Sequence, residues 1–214
     1  MSRLFKTCAG AATYGRGMTE STNRNRISDL LDSAAAHAVP VLRGIGSDEK
    51  LLGAPTPCAE YDVRALVNHL FHVVVQFQEL AAKREPDFSV SPDYVAEGDA
   101  WADRFEAETR KLVAAWAEPG AEEGTSGSMG LPARTLGAMV LLDLTVHAWD
   151  LARATGRPFE PEPAVVDGLA PVVETMGPMA REREVFGDEV AVAESATPFE
   201  RLLAATGRDA GAWA

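Results

Sequence analysis

The chain is poor in several things that would direct it to a specialised class. Its 214 residues include two cysteines, Cys8 and Cys58, too few for a disulfide framework and without the C-x-x-C spacing of a zinc knuckle or a redox motif. A reducing cytoplasm is the expected compartment. Positive charge is scarce: Lys and Arg total 20 against 32 Asp and Glu, a formal net charge of -12, which repels nucleic acid and anionic membrane over most of the surface. No run approaches the about 20 apolar residues that a bilayer crossing needs, and mean hydropathy is -0.08. Aromatics are 7% of residues. What remains, 46% hydrophobic and 24% charged residues, is the composition of one ordinary globular domain, with a small molecule or another protein as its partner. A homodimer is compatible with this composition, which does not fix the oligomeric state.

The first 17 residues carry Arg3, Lys6 and Arg16 and no acid, yet lack the apolar run of a secretory signal. They are expected to be a disordered extension or the product of an upstream start codon before Met18, leaving one domain over 18–214.

Apolar residues then recur at steps of three and four, the period of helices with one buried face. Ile27, Leu30, Leu31, Ala34, Ala38, Val41 and Ile45 mark a first helix, with Pro40 a candidate kink and Gly44, Gly46 and Ser47 its end. Asp62 is placed to cap a second helix from Val63 to about Lys83, whose stripe is Val63, Leu66, Val67, Leu70, Phe71, Val74 and Phe77. Ser91 and Pro92 signal the start of a third, carrying Tyr94, Trp101, Phe105, Leu112 and Trp116 up to Pro119. A fourth, the most apolar, runs from about Pro132 to Gly156, a candidate left-handed cap. A fifth, 163–183, contains Pro171 and Pro178 and is expected to bend or break there. Val190 and Val192 read as extended, and Thr197 and Pro198 open a short last helix. No hairpin signal stands out, and "GAEEGTSGSMGLP" reads as a loop. The expected fold class is all-α, an up-and-down four-helix bundle over about 25–157 with a C-terminal helical appendage over 158–214.

Four histidines are present: His37, His69, His72 and His147. Asp143 and His147 stand in an i, i+4 relation on the fourth helix, so their Cβ atoms lie about 5 to 6 Å apart on one face. Both can reach one divalent ion through bonds of about 2 Å. His69 sits at the edge of the second helix's apolar face, directed at a neighbour. Together they would supply three ligands and leave coordination positions open, as a catalytic rather than a structural site requires. The same spacing equally serves an intrahelical hydrogen bond, with His69 a satisfied core histidine. His72, on one side with His69 and Gln76, reads as a pocket residue, and His37 as isolated. Asp150 either faces the site or bonds a nearby amide or arginine. Trp101 and Trp149 read as core.

Two motifs, "TPCAEYDVRALVNHL" and, about 75 residues later, "LLDLTVHAWDLARATG", resemble the metal-binding helical domain of mycothiol-dependent maleylpyruvate isomerases, within the DinB-like superfamily. The likeness spans about 25–157. The terminal "TPFERLLAATGRD" resembles the tail of an actinobacterial branch of that family. Carried over residue by residue, the resemblance implies His69, Asp143 and His147 as metal ligands, with aspartate standing where the isomerases have glutamate. The isomerases also have a separate mixed C-terminal domain, whereas the 58 residues after Gly156 are too few and too helical for it, so isomerase activity itself is not implied.

Two imidazoles and a carboxylate suit zinc first, with nickel or ferrous iron as alternatives. Any of these favours the thiolate of a bound thiol whose free pKa is about 8.5. Thiolate attack on an electrophilic carbon gives S-transfer when the addition is permanent, and cis-trans isomerisation when rotation and elimination follow. The expected partners are therefore a small electrophile and an external low-molecular-weight thiol, mycothiol by the resemblance, in preference to Cys58. Arg64, Arg134 and Arg153 are the candidates for holding substrate or cofactor carboxylates. A metal-dependent hydrolase and a non-catalytic binding bundle are the competing readings.

Overall fold

In the computed structural model, residues 25–98, 100–128 and 130–213 are described. The segment 1–17 and Cys8, on which the expectation of an N-terminal extension rested, lie outside them. Seven α-helices occur among the described residues: α1 Ile27–Ile45, α2 Glu49–Leu52, α3 Val63–Ala81, α4 Trp101–Ala117, α5 Ala133–Ala154, α6 Pro163–Glu182 and α7 Pro198–Ala205. The class is all-α, as the helical periodicity requires.

Four long helices close a bundle in which α1 and α3 each pack on both α4 and α5, so the first two long helices of the chain stand at opposite corners. Every residue of the stripes read on α1 and α3 is buried, as are Tyr94, Trp101, Phe105, Leu112 and Trp116. α5 buries side chains all round, from Leu136 and Val140 on one side to Trp149 and Leu151 on another. It is long and apolar enough to cross a membrane by length and composition, but 83% of its most apolar window is buried within the protein. Its apolarity thus serves the bundle core. α6 lies against α5 and α1, and α7 against α6.

The helix ends follow local chemistry. The Asp62 carboxylate accepts from the Ala65 amide at 2.8 Å. Gly156, with φ 65°, closes α5 as its neighbours' amides turn back: Gly156 N–H donates to Arg153 O and Arg157 N–H to Ala152 O, the paired bonds of a left-handed helix stop. Three expectations need correction. The third helix starts at Trp101, not near Ser91, because a 3-10 turn at Val95–Glu97 ends at Gly98, whose φ of 88° cannot continue a helix. α6 is not broken at Pro171 or Pro178, but runs through both as one element. The loop before α5 contains a two-strand pairing, β1 Thr125–Ser126 with β2 Leu131–Pro132, anchored by the Ser126 hydroxyl donating to Leu80 O at 2.6 Å.

Candidate functional site

The loop between α2 and α3 is folded around Thr56, a buried residue whose hydroxyl lies 2.8 Å from Tyr61 O and 3.0 Å from Cys58 O and accepts from the Cys58 amide. This turn presents Cys58 and Tyr61 beside the first turns of α3. Tyr61 stacks on His69, with ring centroids 5.2 Å apart and 18° between planes. The other neighbour of His69 is His147 of α5, met edge to face at 5.1 Å and 88°. On α5, His147 Nε2 lies 4.0 Å from Asp143 Oδ1. The structure therefore gathers His69, Asp143 and His147 around one place.

That place is a partly open cleft of about 340 Å³. Its walls come from the Cys58 turn, from Leu142, Asp143, Val146 and His147 of α5, and from two C-terminal stretches, 184–187 and 206–208. Within it, His69 Nε2 and Asp143 Oδ2 are buried with no hydrogen-bond partner. Buried polar atoms are nearly always paired, so two orphans lining one cleft leave donor atoms open to a ligand. Burial, together with the charges of His147 and His72, lowers the His69 pKa to about 3. Burial likewise raises the Asp143 carboxyl, against the opposing charges of His147 and Arg208. A neutral imidazole with an open lone pair and a buried carboxyl oxygen without a hydrogen-bond partner are donor types that suit a divalent cation.

His147 is held on its other nitrogen. Nδ1 lies 3.0 Å from Asp150 Oδ2, and Asp150 is completely buried. Burial pushes the Asp150 carboxyl up, but the Arg208 guanidinium and the His147 bond prevail and hold it below the usual range. Of the two roles open to Asp150 in the sequence, the structure shows the bond to an arginine, from a residue the sequence reading did not single out. Donor atoms of Cys58, His147 and Asp150 lie within 4.8 Å of one another, a tighter trio than the three aligned by spacing. A cation there would sit against the guanidinium already paired with Asp150, which disfavours it. The Cys58 thiol is pushed up to about 11, by burial foremost and by Asp150, against Arg208.

The remaining candidates lie elsewhere. His72 is tied to Tyr94 Oη at 3.1 Å and to Asp87 O at 3.0 Å and does not line the cleft. Arg64 forks onto the Glu49 carboxylate at 2.8 and 2.9 Å. Arg134 pairs with Glu122 and donates to Asn25 O at 2.8 Å. Arg153 lies over the Trp149 ring, 5.6 Å from its centroid, and borders a separate concavity with His37 and Phe159. None of the three arginines lines the cleft; Arg208 does.

Two curated Mycobacterium tuberculosis proteins are similar to this chain. "Uncharacterized protein MT0763" of strain CDC 1551 / Oshkosh and "Uncharacterized protein Rv0738" of strain ATCC 25618 / H37Rv are each 29% identical over 175 residues, covering 78% of this chain and 90% of the relative. No solved structure matches the chain significantly. Residues 32–152, from within α1 to the last turn of α5 and so including His69, Asp143, His147 and Asp150, match the family described as Mycothiol maleylpyruvate isomerase N-terminal domain. The chain belongs to the mycothiol maleylpyruvate isomerase N-terminal domain family.

Proposed function

We propose that this protein is a metal-binding, thiol-dependent transferase or isomerase acting on a small electrophile, with His69, Asp143 and His147 as its metal ligands. The observation that carries the reading is the pair of buried, unpartnered atoms, His69 Nε2 and Asp143 Oδ2, beside the Nε2 edge of His147 at the floor of one cleft. Membership of a mycothiol-associated family supports a low-molecular-weight thiol as co-substrate. Zinc fits the donor set best, with nickel or ferrous iron as alternatives.

A divalent ion held there supplies charge that favours the thiolate form of a bound thiol at neutral pH. The protein's own groups do the rest. Asp150 accepts from His147 Nδ1, which directs the Nε2 lone pair into the cleft. Leu142, Val146 and Phe186 exclude water from one side of the reacting atoms, and the short reach of Asp143 keeps its carboxylate close to α5. A volume of about 340 Å³ accepts a small electrophile or the reactive end of a thiol. An external thiol is preferred over Cys58 as nucleophile, since burial pushes the Cys58 thiol up to about 11.

The test is metal content of the purified protein, followed by thiol consumption with small electrophiles. The wild type is expected to carry close to one divalent ion per chain and to consume thiol, and His147→Ala to lose both. Wild-type protein without affinity for zinc, nickel or iron would defeat the reading. Turnover of substrate with no thiol present would replace it with a hydrolase.

A further inference from the structure

We infer that Arg208 is a positioning residue, which fixes the ring orientation and tautomer of His147 by clamping Asp150, so that the C-terminal segment governs how tightly the site holds a cation. The inference rests on the proposed ligand role of His147. Its first link is the carboxylate. Asp150 has no exposed surface, and its Oδ2 lies 3.0 Å from both His147 Nδ1 and Arg208 Nη2, while Arg208 Nε lies 3.4 Å from Oδ1. Two guanidinium nitrogens across two carboxylate oxygens set the plane of the carboxylate as a single contact does not. With that plane set and the acid ionised, the favourable partner is an N–H at Nδ1, and the Nε2 lone pair is left pointing toward Asp143.

The second link is how Arg208 is aimed. Gly207, with φ 86°, and Arg208 close α7: Gly207 N–H donates to Ala204 O and Arg208 N–H to Leu203 O, the paired bonds of a left-handed helix stop. Nη1 donates to Thr206 O at 2.9 Å. The backbone of Gly187 lies so close that a Cβ at Gly207 would come within 2.6 Å of it. The guanidinium thus enters the cleft wall from a turn with little freedom to move. An ion pair serving only the fold would leave His147 indifferent to it, whereas this one shares the carboxylate oxygen that meets His147 Nδ1.

Arg208→Met and Arg208→Lys are compared with the full-length wild type at pH 8 by two measurements. Zinc affinity is read by competition with a chromophoric chelator, and the His147 tautomer of the zinc-free protein by long-range proton–nitrogen NMR correlation. The wild type is expected to show one tautomer, protonated at Nδ1. Arg208→Met is expected to show a mixture and to bind zinc about ten- to a hundred-fold more weakly, the range for lost outer partners of metal ligands. Lysine, which keeps the charge and loses the fork, is expected to fall between. A folded Arg208→Met with wild-type zinc affinity and an unchanged tautomer overturns the inference. If Arg208→Met does not fold, Arg208→Lys decides on the same two readouts, unchanged values again overturning it. The tautomer needs no metal, so a wild type that binds none of zinc, nickel and iron defeats the proposed function while the spectrum still decides the role of Arg208.

Discussion

The rings of His69 and His147 meet edge to face, 5.1 Å between centroids, across the seam between α3 and α5. Neither helix holds the site alone. Side chains at such a seam are ordinarily apolar, because a polar atom buried there without a partner costs about 1–3 kcal/mol. The cleft has two such atoms, on His69 and on Asp143, and the cost they impose on the metal-free protein can be measured.

Asp143→Asn removes the buried charge at nearly constant volume. In chelator at pH 8, where burial raises the Asp143 carboxyl and its Oδ2 has no partner, the variant is expected to be more stable than the wild type by about 1–2 kcal/mol. With excess zinc the order reverses, since only a protein that binds the ion gains from mass action. Urea unfolding under both conditions measures this; a variant less stable than wild type in chelator would show that the carboxylate is satisfied by the protein itself.

Acid should destabilise the metal-free protein early. The His69 pKa is lowered from 6.5 to about 3, by burial first, and burial lowers His72 as well. The unfolded chain binds these protons between the two pKa values and the native state does not, so stability is complete above about pH 6.5 and is lost as pH falls below it. The slope is at most about 1.4 kcal/mol per pH unit for each histidine. His69→Phe, which keeps a ring against Tyr61, should flatten the curve between pH 6 and 4. Parallel curves for variant and wild type would mean that His69 protonates freely in the folded protein.

Much of this was legible in the sequence because the forces concerned are local or periodic. The buried stripes of α1 and α3 repeat at helical spacing, and Asp143 and His147 are one turn apart, so the fold class and their shared face followed from counting. His69 could be brought to them only by supposing that α3 packs on α5. Ser91 and Pro92 imitate a helix start, whereas Gly98, with φ 88°, ends the turn before α4 and sets where that helix begins. Arg208 stands in the terminal motif "TPFERLLAATGRD", but its role cannot be read there, because it depends on a turn after α7 that returns to the bundle and meets Asp150, a buried acid on the most apolar helix. Arg64, Arg134 and Arg153 are engaged first by Glu49, Glu122 and Trp149.

Cys58 is expected to react slowly. Its thiol is pushed up to about 11, so at pH 8 about one molecule in a thousand is thiolate, against about a quarter for a free cysteine of pKa about 8.5. In a Cys8→Ser background, alkylation by iodoacetamide should run about a hundred-fold slower than for a cysteine peptide and recover on unfolding in urea. Cys58→Ser should leave thiol consumption within about two-fold of wild type. Alkylation at the peptide's rate would mean an activated thiolate and would make Cys58 the nucleophile to consider.

The C-terminal wall of the cleft depends on a close approach of two backbones. A Cβ at Gly207 would lie 2.6 Å from Gly187 Cα and 2.9 Å from its N and C, and backbone atoms cannot turn aside as a flexible side chain can. Gly207 also has φ 86°, where an L side chain adds about 1–2 kcal/mol of strain. Both effects act in one direction, so Gly207→Ala should lower stability by about 2 kcal/mol or more. Gly53 is the control: its φ of -88° suits any residue, and its added Cβ would approach only Glu49 O, at 3.5 Å. Gly53→Ala should stay within about 0.5 kcal/mol of wild type. Urea unfolding of the two variants compares them directly, and equal losses would show that the 184–187 stretch moves aside without cost. A larger loss at Gly207 accompanied by weaker zinc binding would tie the crossing to the site through Arg208, the next residue in the chain.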